Sequence, residues 1–146
     1  MHFVTGGSFN GKAKWVREQY QLSDSPHLWV TAKEEKAIPE NFIDLTKDNI
    51  IVLEGIEWFL EDFSSRLESI QVRLKWQTQL QDWLAWESKD RQRKLILIGT
   101  DISKGIVPLL PEDRKWRDVT GWAYQDTMKL AKQADLIWYG INKKLK

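Results

Sequence analysis

The residues best placed for chemistry stand near the amino terminus. Gly6-Gly7-Ser8-Phe9-Asn10-Gly11-Lys12 fits G-x-x-x-x-G-K and runs on into Ala13. A short β-rich run from His2 to Thr5 precedes it, and a helical pattern from Lys12 to Tyr20 follows. That is the strand–loop–helix setting such a motif needs in order to bind phosphate. Glycines let the backbone curl until successive N–H groups face one anion. The start of the helix adds its positive end, and Lys12 brings a full charge to the outer phosphates. Gly6, Gly7, Ser8, Phe9, Asn10, Gly11, Lys12 and Ala13 are therefore the expected phosphate-binding residues, the plainer alternative being a glycine turn between strand and helix. The position after the lysine normally carries Ser or Thr, whose hydroxyl holds Mg²⁺. Here it is Ala13, and a methyl group ligates nothing. Either magnesium is held by other groups, or the site binds nucleotide without efficient phosphoryl transfer.

Two acids share the next level of interest. Glu54 ends the apolar run Ile50-Ile51-Val52-Leu53, at the carboxyl end of a strand, where open α/β sheets bind ligands. A carboxylate there can hold Mg²⁺ through water or take a proton from an attacking hydroxyl. It can equally be an acid favouring the dipole of the helix that follows. Asp101 follows Leu95-Ile96-Leu97-Ile98-Gly99-Thr100 in the same way, with a turn cap as its alternative reading. Lys12, Glu54 and Asp101 form the expected catalytic set. With no Cys and only His2 and His27, a thiolate nucleophile is excluded and no protein metal site is expected.

Around these residues the pattern reads as strands at His2–Thr5, Leu28–Thr31, Asn49–Leu53, Leu95–Ile98 and Leu136–Tyr139. Asn41–Leu45 reads as a short edge strand, after a polar connection over residues 34–39. Ile56, Leu60, Phe63, Leu67, Ile70 and Leu74 step along one helical face. The periodicity blurs near Lys75–Gln79 and resumes at Leu80, Trp83 and Leu84, so the stretch is one helix or two. Trp116–Ala134 reads as a further helix, weakened by Gly121, and a short basic tail closes the chain. Strands that alternate with helices, with apolar central strands, predict an α/β domain on a largely parallel sheet.

The 146 residues fit one domain over residues 1–146. A net charge of +1 argues against nucleic acid or an anionic membrane surface as a partner. No apolar run is long enough for a membrane span, and no signal peptide is recognised, so a cytoplasmic protein is expected. Of the nine tryptophans, Trp76 and Trp83 share a helix face, which suits packing. A platform for a flat ligand is the sharper alternative. Lys89–Lys94 (KDRQRK) reads as a solvated helix end.

The second half of the chain carries a resemblance. Asp101-Ile102-Ser103-Lys104-Gly105-Ile106-Val107-Pro108 precedes Trp116-Arg117-Asp118, Gly121 and Tyr124-Gln125, and the run Ala134-Asp135-Leu136-Ile137-Trp138 follows. With the Thr-Gly-Gly start, this resembles the adenosylcobinamide kinase/adenosylcobinamide-phosphate guanylyltransferase family of cobalamin biosynthesis. The resemblance implies a P-loop NTPase-like fold with a RecA-like sheet flanked by helices, and a homo-oligomer. It implies ATP or GTP with Mg²⁺, and a cobinamide acceptor whose aminopropanol hydroxyl is phosphorylated. It also implies a second step, in which GMP passes from GTP through a covalent histidine. Glu54 falls on the family's strand-end acid and Asp101 where the family has Glu. Trp116 replaces Phe and Tyr124 replaces Asn, while Arg117, Asp118, Gly121 and Gln125 are retained. Family members are longer, and a helical arm after the second strand carries their guanylylated histidine. Here residues 31–39 bridge that space without a histidine. Guanylyl transfer by the family route is therefore expected to be absent, and two readings of the remainder stay open. One is a kinase; the other is a nucleotide-binding or assembly relative that has lost magnesium ligation. A kinase for another small molecule on the same fold is a third.

Overall fold

A computed structural model describes residues 1–32, 38 and 46–146. Six strands form one sheet: β1 (His2–Gly6), β2 (Leu28–Thr31), β3 (Ile50–Glu54), β4 (Lys94–Thr100), β5 (Gln133–Trp138) and β6 (Ile141–Lys144). Their order is β2-β3-β4-β1-β5-β6. All neighbours are parallel except the antiparallel β5–β6 pair. Inserting β4 between β1 and β3 gives the RecA-like order of the expected P-loop NTPase-like fold. The helices among the described residues are α1 (Lys12–Gln19), α2 (Ile56–Arg66), α3 (Ser69–Ser88) and α4 (Pro111–Leu130). None is long and apolar enough to cross a membrane. The polar connection and the edge strand expected over residues 34–45 lie outside the described residues, apart from the buried Ile38.

Strand alternation sorts the apolar side chains into two cores. Phe3, Ile51, Leu53, Leu95 and Leu97 point toward α2, α3 and α4. Val4, Val52, Ile96 and Ile98 point the other way, with Val16 of α1 packed against them. Central strands covered on both faces lack a polar side, which is why the runs IIVL and LILI are uniformly apolar.

The long helical stretch is two helices, and the division falls earlier than the blurred periodicity suggests. Leu67 is extended, with φ −127° and ψ 154°, and Glu68 caps α3 through a capping box with Gln71. This E-x-x-Q pattern marks a helix start. The new helix also starts a new phase. Val72, Trp76, Leu80 and Trp83 are fully buried, whereas Ile70 and Leu74 are 71% and 57% exposed. The predicted single apolar face therefore ends at Phe63. Trp76 and Trp83 meet edge-on at 5.5 Å and are core residues, not a ligand platform.

Helix α4 begins at Pro111, not at Trp116, and ends at Leu130 rather than Ala134. Proline at the first helical position, followed by Glu112 and Asp113, is an ordinary helix start. The strand after it shifts to Gln133–Trp138 accordingly. The basic tail is strand β6, returned by the two-residue turn Tyr139-Gly140. Both turn residues have positive φ, 49° and 80°, as a tight hairpin requires.

Helices α3 and α4 are clamped through one carboxylate. Asp126 accepts from Arg73 Nε at 2.7 Å, Arg73 Nη2 at 2.9 Å and Gln77 Nε2 at 2.8 Å. Close by, Trp76 Nε1 donates to Thr127 Oγ1 at 3.0 Å. Hydrogen bonding from Arg73 pulls the Asp126 carboxyl down to about 2 from an ordinary 3.8. Its contribution to stability is complete well above pH 3.8, begins to shrink as pH approaches that value and is lost as pH falls through about 2. Asp126→Asn should destabilise the fold by about 1–2 kcal/mol at neutral pH. Melting curves at a series of pH values should show the wild-type advantage shrinking between pH 5 and pH 2.

Candidate active site

Parallel pairing brings the carboxyl ends of four strands to one edge. Gly6 is opposite Thr100, Glu54 opposite Ile98, and Thr31 opposite Glu54. The loop after β1 turns into α1 across this edge. Gly6 has φ 150°, and a Cβ on it would lie 2.2 Å from the Ile137 carbonyl oxygen of β5. Any side chain at this position would force β1 and β5 apart, so the motif's first glycine is a packing requirement as well as a turn. At the loop apex Phe9 has φ 58° and is fully exposed. The β5–β6 turn braces the loop: Gly140 N donates to Asn10 O at 2.9 Å, and Tyr139 N to Asn10 Oδ1 at 3.4 Å.

The first inward bond of α1 is Trp15 N to Gly11 O at 2.9 Å, so the amides of Lys12, Ala13 and Lys14 open the helix without intrahelical acceptors. These are the donors an anion would use. Lys12 is buried, and its Nζ donates to Gly7 O at 2.8 Å and Gly6 O at 3.3 Å. Burial pushes its pKa below the ordinary 10.5, and the charges of Glu57 and Glu54 push back. The loop, Glu54, Glu57 and Trp58 line one cavity of about 390 Å³, closed on the strand side by Thr31, Ile98 and Thr100.

The acids divide by environment. Glu54 Oε2 accepts from Trp29 Nε1 at 2.9 Å, and Arg17 lies 3.7 Å over the same indole. Oε1 of Glu54 has no partner among the described residues. Asp101 does not line this cavity. Its Oδ1 accepts from Ser103 N at 3.0 Å and from the Ser103 hydroxyl, and Lys104 Nζ stands 3.6 Å from Oδ2. Its carboxylate is a turn cap on the wall of a neighbouring cavity, while its main-chain N–H donates to Gly6 O at 3.0 Å. The structure thus joins Lys12 and Glu54 and sets Asp101 to one side.

Glu57 was missed from the sequence. It is 3% exposed, and its Oε2 accepts from Thr100 N at 2.9 Å. The Tyr124 hydroxyl lies 3.2 Å from that oxygen and 2.9 Å from the Thr100 carbonyl. Burial and the Glu57 charge hold the Tyr124 phenol well above its ordinary pKa of 10.0. Gly99 makes this possible, because a Cβ there would lie 2.3 Å from the Tyr124 oxygen. Trp116 Nε1 donates to Glu57 O at 2.7 Å, and its ring lies 4.9 Å from that of Trp58. Trp58 is 42% exposed at the cavity wall. The available signal was an acid three residues after Glu54, in the first turn of a helix that starts at the sheet edge. Of the resemblance motif, Gly121 and Gln125 line the neighbouring cavity with Asp101, and Asp118 is exposed.

Whether Mg²⁺ fits can be judged from the donors. No group of three or more His, Cys, Asp or Glu is placed to hold a metal among the described residues. Position 13 offers a methyl group, and one Glu57 oxygen is committed to Thr100. Magnesium commonly binds through one or two carboxylates plus the substrate's phosphates. On that pattern Glu54 is the protein's contribution, and the usual loop hydroxyl is missing.

A family model described as cobinamide kinase / cobinamide phosphate guanyltransferase matches residues 22–145. The matched span holds Glu54, Glu57 and Asp101 and begins after the phosphate loop. No curated protein matches the chain.

Because the Glu57 charge supports protonation of Lys12, Glu57→Gln should move the Lys12 ammonium further below its ordinary pKa. NMR titration of the lysine side-chain carbons should show Lys12 deprotonating at lower pH in the variant than in the parent.

Proposed function

The chain belongs to the cobinamide kinase / cobinamide phosphate guanyltransferase family, and from that premise we propose that it transfers the terminal phosphoryl group of ATP or GTP to the hydroxyl of adenosylcobinamide. The observation that carries this reading is the buried Lys12 in a glycine loop, in one cavity with Glu54. The curled amides would hold the β- and γ-phosphates, and Lys12 would exchange the loop carbonyls for phosphate oxygens as charge builds on them. Glu54 Oε1 would accept the proton of the attacking hydroxyl. The acceptor oxygen then bonds to the γ-phosphorus as the bond to the bridging oxygen breaks, leaving the nucleoside diphosphate. Mg²⁺ entering with the nucleotide would neutralise phosphate charge, held by phosphate oxygens and water, with Glu54 reached only through such a water. Trp58, backed by Trp116, offers the nucleobase a planar wall. The exposed Ile106, Val107 and Leu109 fit a homo-oligomer.

Guanylyl transfer through a histidine is not part of this reading. A phosphoramidate needs an imidazole beside the α-phosphate, and the chain has two histidines. His2 opens β1 at the amino end of the sheet, buried between Asp135 Oδ2 at 2.9 Å and the Tyr20 hydroxyl at 2.7 Å. At about 3.3 Å per residue, it lies roughly 13 Å along β1 from Gly6. His27 precedes β2 at the same end, with Nδ1 at 2.8 Å from Ser25 O. Both residues stand at the amino end of the sheet, opposite the edge that carries the loop.

One observation favours a second reading. Ala13 removes a metal ligand, which suits a nucleotide-binding relative with little turnover. The two readings part in an assay with purified protein, labelled ATP or GTP, magnesium and adenosylcobinamide. Phosphorylated cobinamide is expected, and Lys12→Ala should lower kcat/KM by at least about 100-fold. Ala13→Ser should raise kcat with little change in nucleotide KM. Nucleotide binding without product would select the second reading. An acid-labile protein–GMP adduct would contradict the histidine argument.

A further inference from the structure

A second cavity of about 540 Å³ adjoins the first. Ile102 lines both cavities, and Thr5, the residue before Gly6, lines the second. Its wall carries unused hydrogen-bonding capacity. The hydroxyls of Thr5 and Thr120 are buried and have no partner among the described residues, and Thr120 is 2% exposed. On a helix, a threonine hydroxyl ordinarily bonds back to a carbonyl of the preceding turn, as Thr127 does to Ala123 O at 2.8 Å. Thr120 forgoes that bond. A buried hydroxyl without a partner is unfavourable unless something supplies one.

Gly121 points the same way. It sits inside α4, where glycine is a poor helix former, yet it has no positive φ to serve. Among the described residues, nothing lies within 4 Å of the position its Cβ would take. Neither backbone conformation nor packing calls for a glycine here. What the missing side chain keeps is space in the cavity wall.

The cavity's charges are already paired. Asp101 is engaged by Ser103 and Lys104, and Lys129 Nζ stands 3.7 Å from Asp126 Oδ1. What is left is neutral: hydroxyls, the Gln125 amide and the apolar surfaces of Phe3 and Met128. Such a lining rejects a phosphate and suits an uncharged, hydroxyl- or amide-bearing arm with an apolar body. We propose that this second cavity seats that arm of the phosphoryl acceptor, with the Thr5 and Thr120 hydroxyls as its hydrogen-bonding partners. The proposal rests on the kinase reading above and adds the place of the acceptor. A threonine can turn its hydroxyl toward an occupant by moving between staggered χ1 wells.

Four proteins decide it: the parent, Gly121→Ala, Gly121→Leu and Thr120→Val, each titrated calorimetrically with cobinamide and separately with ATP and GTP. Gly121→Ala should raise the melting temperature by about 2–4 °C, showing that the glycine serves no structural need. Gly121→Leu, which fills the space, should weaken cobinamide binding at least about 10-fold with nucleotide affinity unchanged. Thr120→Val, isosteric without the hydroxyl, should weaken cobinamide binding without lowering the melting temperature. If the parent binds and phosphorylates cobinamide and Gly121→Leu and Thr120→Val do so equally well, the acceptor lies elsewhere and the kinase reading stands. If the parent binds nucleotide but no cobinamide, the kinase reading and this inference fall together.

Discussion

A buried ammonium group is the constraint around which this fold is arranged. Taking a lysine out of water disfavours its charged form, and Lys12 keeps its charge only with compensation. Two loop carbonyls accept from it, and two carboxylates from the neighbouring strand end and helix act on it through space. Each compensating group is itself held. Gly6 lets β1 and β5 close on the loop, Trp29 holds Glu54, and Thr100 with Tyr124 holds Glu57. The sheet order is what makes this possible, since β4 alone separates the loop strand from the strand that ends in Glu54. A positive centre anchored in this way needs little rearrangement when it meets a polyanion, which is the condition for effective electrostatic stabilisation.

The sequence made legible whatever is decided locally or by apolar runs. IIVL and LILI announce two-sided strands, and G-x-x-x-x-G-K between a strand and a helix announces the loop. What it hid was decided by tertiary contact. Ile70 and Leu74 continue the spacing of α2 but belong to a helix whose buried stripe runs through Trp76 and Trp83, and nothing in the spacing says which phase packs. The hairpin at Tyr139-Gly140 was obscured by the charge of INKK, an exposed edge strand with no apolar face to advertise it. Two start signals were present and underused: Pro111 with its following acids, and the Glu68–Gln71 box.

The site was half legible for a related reason. A loop that binds anions through main-chain amides has a recognisable sequence because glycine and lysine are irreplaceable there. A carboxylate's role depends on its partners. Glu54 and Asp101 look alike on paper, each following an apolar run, yet one keeps an oxygen with no partner among the described residues in the cavity it shares with Lys12, and the other caps a turn at Ser103 and pairs with Lys104. Glu57 is closer to the lysine's electrostatics than either position alone would suggest, and only the reach of Tyr124 over Gly99 explains why it is buried.

Tyr124 also links the walls of the two cavities. Its ring lines the second cavity and packs edge-on against Phe3 at 5.1 Å. Its hydroxyl meets Glu57 and the Thr100 carbonyl at the wall of the first. A group pressing on the ring therefore touches the residue that steadies the carboxylate opposing Lys12. Gly121, Tyr124 and Gln125 stand on one helix and line the second cavity rather than the loop. The two walls meet at one side chain, so the carboxylate that acts on Lys12 is held from α4 through the Tyr124 hydroxyl as well as from β4 through the Thr100 amide.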